Sequence, residues 1–541
     1  ESYPDENPRN QVLVQPKVRN LVANGVAFTR SLGTNAPWLS INFEISDRPD
    51  GVTSGSSGIS RTLNIFRPAS TPWIEKAKSH SLMRELPPWA ASLMEALKEL
   101  EEVTHYSRLD VEFGIDSGGF VHIFQVRPLT AGIGALTFDD SEFEVALTEA
   151  SMRSGLPASM TAEKSGERAV FSNMTDWNPA EILGVAPGQL AISLYEELIT
   201  NSVWANSRAA FGYRNLKNRP LLKSLAGRPY VDVAASLESL LPKNLTDGTS
   251  KKLVNFFLAS LSSQPELHDK VEFEVLPTCF TPRFPNWHAR LSRSGLFTDE
   301  ELALYESELR TITRDAIKGI ADDFALIESL EPEFLRAQRN TQFTAGEKIE
   351  RVLAICRRFG TLPFANLARR GFIAVTLLKD AGEQGIISTA AIDNFLGSIT
   401  TVSHEIRADA IAVKSGDLSW EAFVATYGHL RPGTYEITSP RYDSEPDTFL
   451  RPLVDFSGDH GSPGFGESQW VLERDQFFNW LEEHLGDISK EEAELFLRRS
   501  IEGRESSKFA FTKLLSWVLE EIKEIGHGWG LSVDEVAHLR I

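Results

Sequence analysis

The sequence predicts an α+β protein, with a strand-rich opening up to about residue 135 followed by a much larger, mainly α-helical region. Three features lead there: short β-rich runs separated by turn residues before residue 70, an alternating hairpin at 108–129, and long amphipathic stretches from about residue 143 onward. At 541 residues and 60.2 kDa the chain is too long for one ordinary core, so several domains are expected.

In the opening, "QVLVQPKV", "GVAFTR", "WLSINFEI" and "RTLNIFR" are rich in branched and aromatic residues and are punctuated by Gly, Pro, Asn and Asp, as strands and turns are. Residues 87–104 change period: Leu93, Ala96, Leu97 and Leu100 form one helical stripe, with Glu95, Lys98, Glu99, Glu101 and Glu102 elsewhere. "RLDVEFGID", a turn at "SGG" and "FVHIFQVRPL" then form a hairpin that closes the first unit. Beyond it, Leu194 and Leu198, and Tyr195 and Ile199, repeat at spacings of four, and amphipathic stretches recur over 300–340, 346–382, 389–426 and 475–525. "DWNPAE" predicts a helix start at Asn178, with Pro179 and Glu181 in the first turn. "DFSGDHGSPGFGES" at 455–468 reads as a loop or subdomain boundary, and "GHGWG" at 526–530 as a helix stop that uses a glycine at positive φ. The expected division is residues 1–135, a linker over 136–165, a helical domain over 166–455 and a helical subdomain over 456–541.

Charge and cysteine usage narrow the partners. The 75 acidic and 55 basic residues give a formal charge of -20, which argues against nucleic acid, because phosphate-backbone contacts need clustered Lys and Arg. Any anionic ligand has to be held by a local group of cations. No run approaches the roughly 18 uninterrupted apolar residues of a membrane span, so no membrane partner is expected. Cys279 and Cys356 stand far apart without metal-ligand spacing; neither a disulfide framework nor a zinc site is expected, and a cytoplasmic location fits best. The sequence contains no GxxxxGK[ST], which excludes a Walker-type phosphate loop, and "TSGSSG" reads either as a phosphate-cradling loop or as a plain turn.

The hairpin carries the most specific pattern. In "RLDVEFGID", alternation puts Val111, Phe113 and Ile115 on one face and Asp110, Glu112 and Gly114 on the other, so Glu112 points away from the core. The same rule groups Val121, Ile123, Gln125 and Arg127 on one side of the second strand. A carboxylate and a carboxamide on neighbouring strands suit magnesium, which takes oxygen ligands, and an arginine fork suits phosphate. The same residues also make an ordinary cross-strand ion pair between Glu112 and Arg127, with Gln125 capping the strand end. The residues by themselves leave both readings open.

"DVEFGID…VHIFQVRPLT" resembles the closing motif of the ATP-grasp nucleotide-binding domain in phosphoenolpyruvate synthases and pyruvate phosphate dikinases. "VLVQPKVRNLVANGVAFTR" is similar to the same family's strand-turn-strand. "WLSINFEISDRPDGVTSGSSG" stands where that family has an Asn- and Glu-containing strand and a glycine loop, although "RPDGVTSG", with Asp50, replaces the strict Gly-Leu-Gly-Glu pattern. The resemblance implies ATP and Mg2+ as cofactors. Glu112 and Gln125 would hold the metal, and Arg127 and Arg30 would meet transferring phosphates as catalytic residues, with Gln15 and Asn42 as further nucleotide contacts.

In the helical region, "DWNPAE", "PELHDKVEFEV" and "GRPYVDVAASLESLLP" resemble a subgroup of phosphoenolpyruvate synthase-like proteins, and Trp177 and Trp204 also read as plain core packing. "YGHLRPGTYEITSPRYDSEPD" at 427–447 is similar to the acceptor-domain segment of rifampin phosphotransferases, with Leu430 where relatives often carry Arg. That likeness implies an acceptor site at His429, Arg431, Tyr435 and Arg441, with Tyr442 beside them; a buried Arg/His network that fixes a loop is the other reading. Glu505 and Lys508 read as an i,i+3 pair on a solvated helix face.

Family members pass phosphate from ATP through a histidine in a Gly-Gly-x-x-Ser-His type motif to a small acceptor such as pyruvate. None of the 11 histidines has that setting: His288 lies in "NWHAR", His404 in "VSHEI" and His460 in "GDHGS". The resemblance therefore implies a partial ATP-grasp unit and a central helical domain of an ATP-dependent phosphotransferase. The phosphohistidine domain would lie in a longer chain or in a partner. A non-catalytic nucleotide-binding or scaffold protein that keeps the fold is the alternative.

Overall fold

The computed structural model describes residue 18 and residues 20–32, 35–44, 61–67, 87–129, 139–153, 170–225, 227–457 and 469–541. The chain forms two compact units, residues 1–167 and 168–541. The architecture is α+β, as the sequence predicts.

In the first unit, strands β1 (Leu21–Phe28), β2 (Trp38–Glu44), β3 (Arg61–Phe66), β4 (Leu109–Asp116) and β5 (Val121–Pro128) form one antiparallel sheet in the order β3-β2-β1-β4-β5. Alternation gives the sheet an apolar face: Ala23, Ala27, Leu39, Ile41, Phe43, Val111, Phe113 and Ile115 are buried against helix α1 (Ala90–Thr104). The α1 stripe is the predicted one, with Leu93 and Leu97 buried and Leu100 packed beside them. Each such large side chain contributes about 1.5–3 kcal/mol by leaving water. Glu101, off that stripe, takes both guanidinium nitrogens of Arg67 at 2.8 and 2.7 Å, which ties the end of β3 to α1. Helix α2 (Asp140–Arg153) occupies the segment expected to be a linker.

Strand β5 departs from simple alternation. Glu112 pairs with Gln125 but Phe113 pairs with Ile123, so Phe124 is an extra, unmatched residue. This bulge turns Val121, Ile123 and Val126 together toward the core and sends Gln125 and Arg127 to the opposite face with Glu112. The expectation that Gln125 and Arg127 share a side with Val121 and Ile123 is thereby corrected: strict period two does not survive an inserted residue. The Phe124 ring folds over Gly114, where a Cβ atom would lie 2.8 Å from it, so a larger residue there would push the ring aside.

The second unit is mainly helical. It includes α3 (Val203–Ala210), α4 (Leu362–Glu383), α5 (Val402–Ser415), α6 (Trp420–Tyr427), α7 (Gln469–Leu485) and α8 (Lys490–Gly528). A small sheet that the sequence pattern does not announce, β6 (Phe171–Ser172), β7 (Leu222–Leu225) and β8 (Arg228–Asp232), pairs in the order β6-β8-β7. Asn178 caps a short helix by accepting from the Glu181 N–H at 3.1 Å, as predicted. A reciprocal cap between Ser489 and Glu492 starts α8, and Gly530 at φ 77° follows its end. Residues 469–541 do not form a core of their own: Phe477 and Phe496 share one with Leu253 and Leu377, and Phe511 and Leu515 share another with Ile192 and Val352.

Helices α4 and α8 approach closely at Gly503, where a Cβ would meet Phe324 at 2.8 Å and Leu367 at 3.1 Å. Charges are buried alongside. Arg369 of α4 bonds Glu272 and, at 3.0 Å, the Thr278 hydroxyl, while Arg208 of α3 reaches Asp176 at 2.8 Å and lies 3.7 Å from Glu272. Ser236 donates to the second Asp176 oxygen at 3.0 Å. On the next residue of α4, Arg370 bonds Asp323 and the carbonyls of Ala316 and Gly319. A buried charge that loses its partner costs far more than the pair gains. Arg369→Met should therefore lower unfolding stability by about 3–5 kcal/mol, and adding Glu272→Leu should restore part of it. Urea unfolding of the three proteins tests this, and a double variant no more stable than the single one would contradict it.

Candidate functional site

The face of the sheet opposite α1 mixes polar with apolar residues, and two rows of paired residues cross it. One row runs Thr62, Asn42, Val26, Glu112, Gln125; the next runs Asn64, Ser40, Phe28, Asp110, Arg127. Asn42 and Glu112 are thus two strands apart, about 10 Å, on one level of one face. Asn42 accepts from the Thr62 hydroxyl at 2.7 Å, and Ser40 donates to Asn64 at 2.6 Å.

At the β4–β5 side of this face the charged groups converge. Arg127 Nη2 donates to Glu112 Oε1 at 3.0 Å and also to Gln125 Oε1, while Arg127 Nη1 lies 3.9 Å from Asp110 Oδ2. Glu112, Gln125 and Arg127 are therefore brought together as the sequence suggested, by a bulge the sequence did not announce. Asp110 is an addition; its place two residues before Glu112 was the available signal. Arg30 stands elsewhere: its fork grips Asp140 of α2 through two contacts of 2.6 Å. Gln15, Asp50 and "TSGSSG" lie outside the described residues.

The second candidate region belongs to the helical unit. The α6 helix ends at Tyr427, and the loop after it returns to α8 through Arg431, which donates to the Ser439 carbonyl at 2.8 Å, to Ser516 and to Glu520. With all its nitrogens engaged, Arg431 is a strut between loop and helix. It also separates two cavities. One, of about 250 Å³, is lined by His429, Thr434, Glu505, Lys508 and Thr512; the other, of about 590 Å³, by Arg441, Asp443, Glu520 and Lys523. Arg441 is itself held by Asp443 in a two-point contact, Nε to Oδ1 at 2.9 Å being one arm. Tyr435 lines neither cavity; it is buried edge-on against Tyr195, 5.5 Å between centroids, within a hydrophobic core. Tyr442 stacks on Phe449 at 4.8 Å.

Glu505 and Lys508 do not form the expected ion pair; both instead border the smaller cavity, and neither has an ion-pair partner among the described residues. The intervening turn holds them on one face without joining their heads. The central cluster of Asp176, Arg208, Glu272 and Arg369 was also missed, since Glu272 and Arg369 are 97 residues apart and no local pattern links them. Among the described residues no three His, Cys, Asp or Glu side chains group to hold a metal, and no helix is long and apolar enough to cross a membrane. No protein-family model matches the chain, and no curated protein matches it.

His429 is a buried imidazole of the second region whose ionisation is displaced by its surroundings. It is 7% exposed, its Nδ1–H donates to the Thr426 carbonyl at 3.2 Å, and its ring packs edge-on against Phe509 at 4.8 Å. The Phe509 carbonyl also lies near the ring, but Nε2 makes no hydrogen bond of acceptable geometry. Burial, against the pull of these carbonyls, pushes the imidazole down from 6.5 to about 4. Between those values the unfolded chain holds one proton more than the folded one, so stability falls as pH drops from 6.5 to about 4. The full effect of one such group is at most about 3 kcal/mol. His429→Gln should shrink the loss of stability between pH 7 and pH 4.5 by a large part of that amount. Urea unfolding at both pH values checks it, and an unchanged pH difference would refute the assignment.

Proposed function

We propose that this chain carries the second half of an ATP-grasp nucleotide site and the acceptor-binding helical unit of a phosphoenolpyruvate synthase-like, ATP-dependent phosphotransferase. One observation carries the reading: Glu112 Oε1 and Gln125 Oε1, on residues paired across β4 and β5, both accept from the single atom Arg127 Nη2. Two protein oxygens that already converge on one positive point are the donor set a hard divalent cation takes, with water completing its shell.

In this reading Glu112 and Gln125 hold Mg2+, which when bound neutralises charge on the nucleotide phosphates. Arg127 offers its planar fork to a phosphate, and Asn42, in the same row of the same face, meets another part of the nucleotide. The helical unit receives the small acceptor at the cavities either side of Arg431, whose rigid bonding to α8 fixes their shared wall. The phosphorylated histidine comes from a domain in a longer chain or from a partner protein.

A second reading, a non-catalytic scaffold that keeps the fold, has its own support. Arg30 is neutralised by Asp140, and Arg127 already has carboxylate partners. The readings separate on one substitution at an open position. Glu112→Ala should lower magnesium-dependent binding of a fluorescent ATP analogue by tenfold or more, while circular dichroism stays unchanged. Equal binding by variant and parent, or none by either with and without magnesium, would favour the scaffold.

A further inference from the structure

We propose that Arg127 is a built-in counter-ion of the metal site, so that cation binding to Glu112 and Gln125 is an exchange in which the guanidinium leaves. The inference rests on the magnesium reading of this face. The two oxygens assigned to the metal are the two that Arg127 Nη2 engages. A guanidinium and a divalent cation cannot share them, because both need the same lone pairs and their charges repel.

The surroundings suit an exchange better than a fixed strut. The Arg127 side chain is 52% exposed, against 29% for Glu112 and 23% for Asp110, so its head can move into water at little cost. Asp110, in register with Arg127 and 3.9 Å from Nη1, stays within reach as an alternative anchor after release. A phosphate arriving on this face is a better one, since a two-point arginine–phosphate contact is stronger than the single contact to Glu112. Contrast Arg431, 3% exposed with every nitrogen engaged, which has nowhere to go.

The exchange has two consequences. Metal alone binds the parent chain less tightly than a chain without the arginine, because it has to displace Arg127 and meets its positive charge nearby. Nucleotide and metal then help each other, since the phosphates take up the displaced fork, and this coupling is reciprocal. The test is calorimetric titration of Mg2+ into the full chain, with and without a non-hydrolysable ATP analogue, for the parent, Arg127→Gln and Glu112→Gln. Arg127→Gln should tighten nucleotide-free Mg2+ binding by about fivefold or more and reduce the factor by which the analogue tightens it further. Glu112→Gln should weaken Mg2+ binding in both conditions. If Arg127→Gln binds Mg2+ no more tightly than the parent while Glu112→Gln loses it, the exchange is wrong and the metal site stands. If no protein binds Mg2+, or Glu112→Gln binds it as the parent does, both fall. Circular dichroism on each variant confirms that the fold is intact.

Discussion

One unmatched residue in β5, Phe124, decides what the open face of the sheet contains. Without it, alternation would carry Gln125 and Arg127 to the side of α1, where a carboxamide and a guanidinium would have no partners and would interrupt the core. With it, the apolar half of the strand stays buried and its polar end joins Asp110 and Glu112. The cost is local and is met locally: a glycine opposite the bulge makes room for the displaced ring. The packing of the sheet on α1 and the grouping of charges on its other face thus rest on the same offset.

The two units use arginine–carboxylate chemistry to opposite ends. In the helical unit, Arg369 and Glu272 are 2% and 8% exposed, hold each other where water cannot, and fix α4 against the segments around Asp176 and Thr278. Such a contact is costly to break. On the sheet, Arg127 and Glu112 face solvent, the attraction is screened, and the pair is worth little by itself. A weak contact between strongly coordinating groups can be given up, which is what a binding surface requires.

Much of the first unit was legible. Short alternating runs gave the strands, the helical stripe gave α1, and the outward direction of Glu112 followed from period two. The bulge was not, because one inserted residue leaves no mark in composition and changes only the phase of the residues after it. In the helical unit the local signals were sound: Asn178 caps, Gly530 follows a helix end, and Arg431 fixes a loop. What escaped were relations between distant segments. Glu272 with Arg369, Arg30 with Asp140, and the small β6-β8-β7 sheet join stretches whose proximity only the assembled core decides. The four proposed acceptor residues illustrate the limit: adjacent in sequence, they separate into two cavity walls, a strut and a core tyrosine.

Helix α8 is 39 residues long, about 58 Å of continuous backbone. Phe496 and Leu497 belong to one hydrophobic core, Leu515 and Val518 to another, and Phe509 packs against a third. A helix seated in three cores cannot fray from the middle without opening all of them, so its central amides should exchange with solvent only when the whole helical unit opens. Both cavities at Arg431 are walled by that same stretch, and their shape is accordingly tied to the melting of the unit rather than to the motion of a loop.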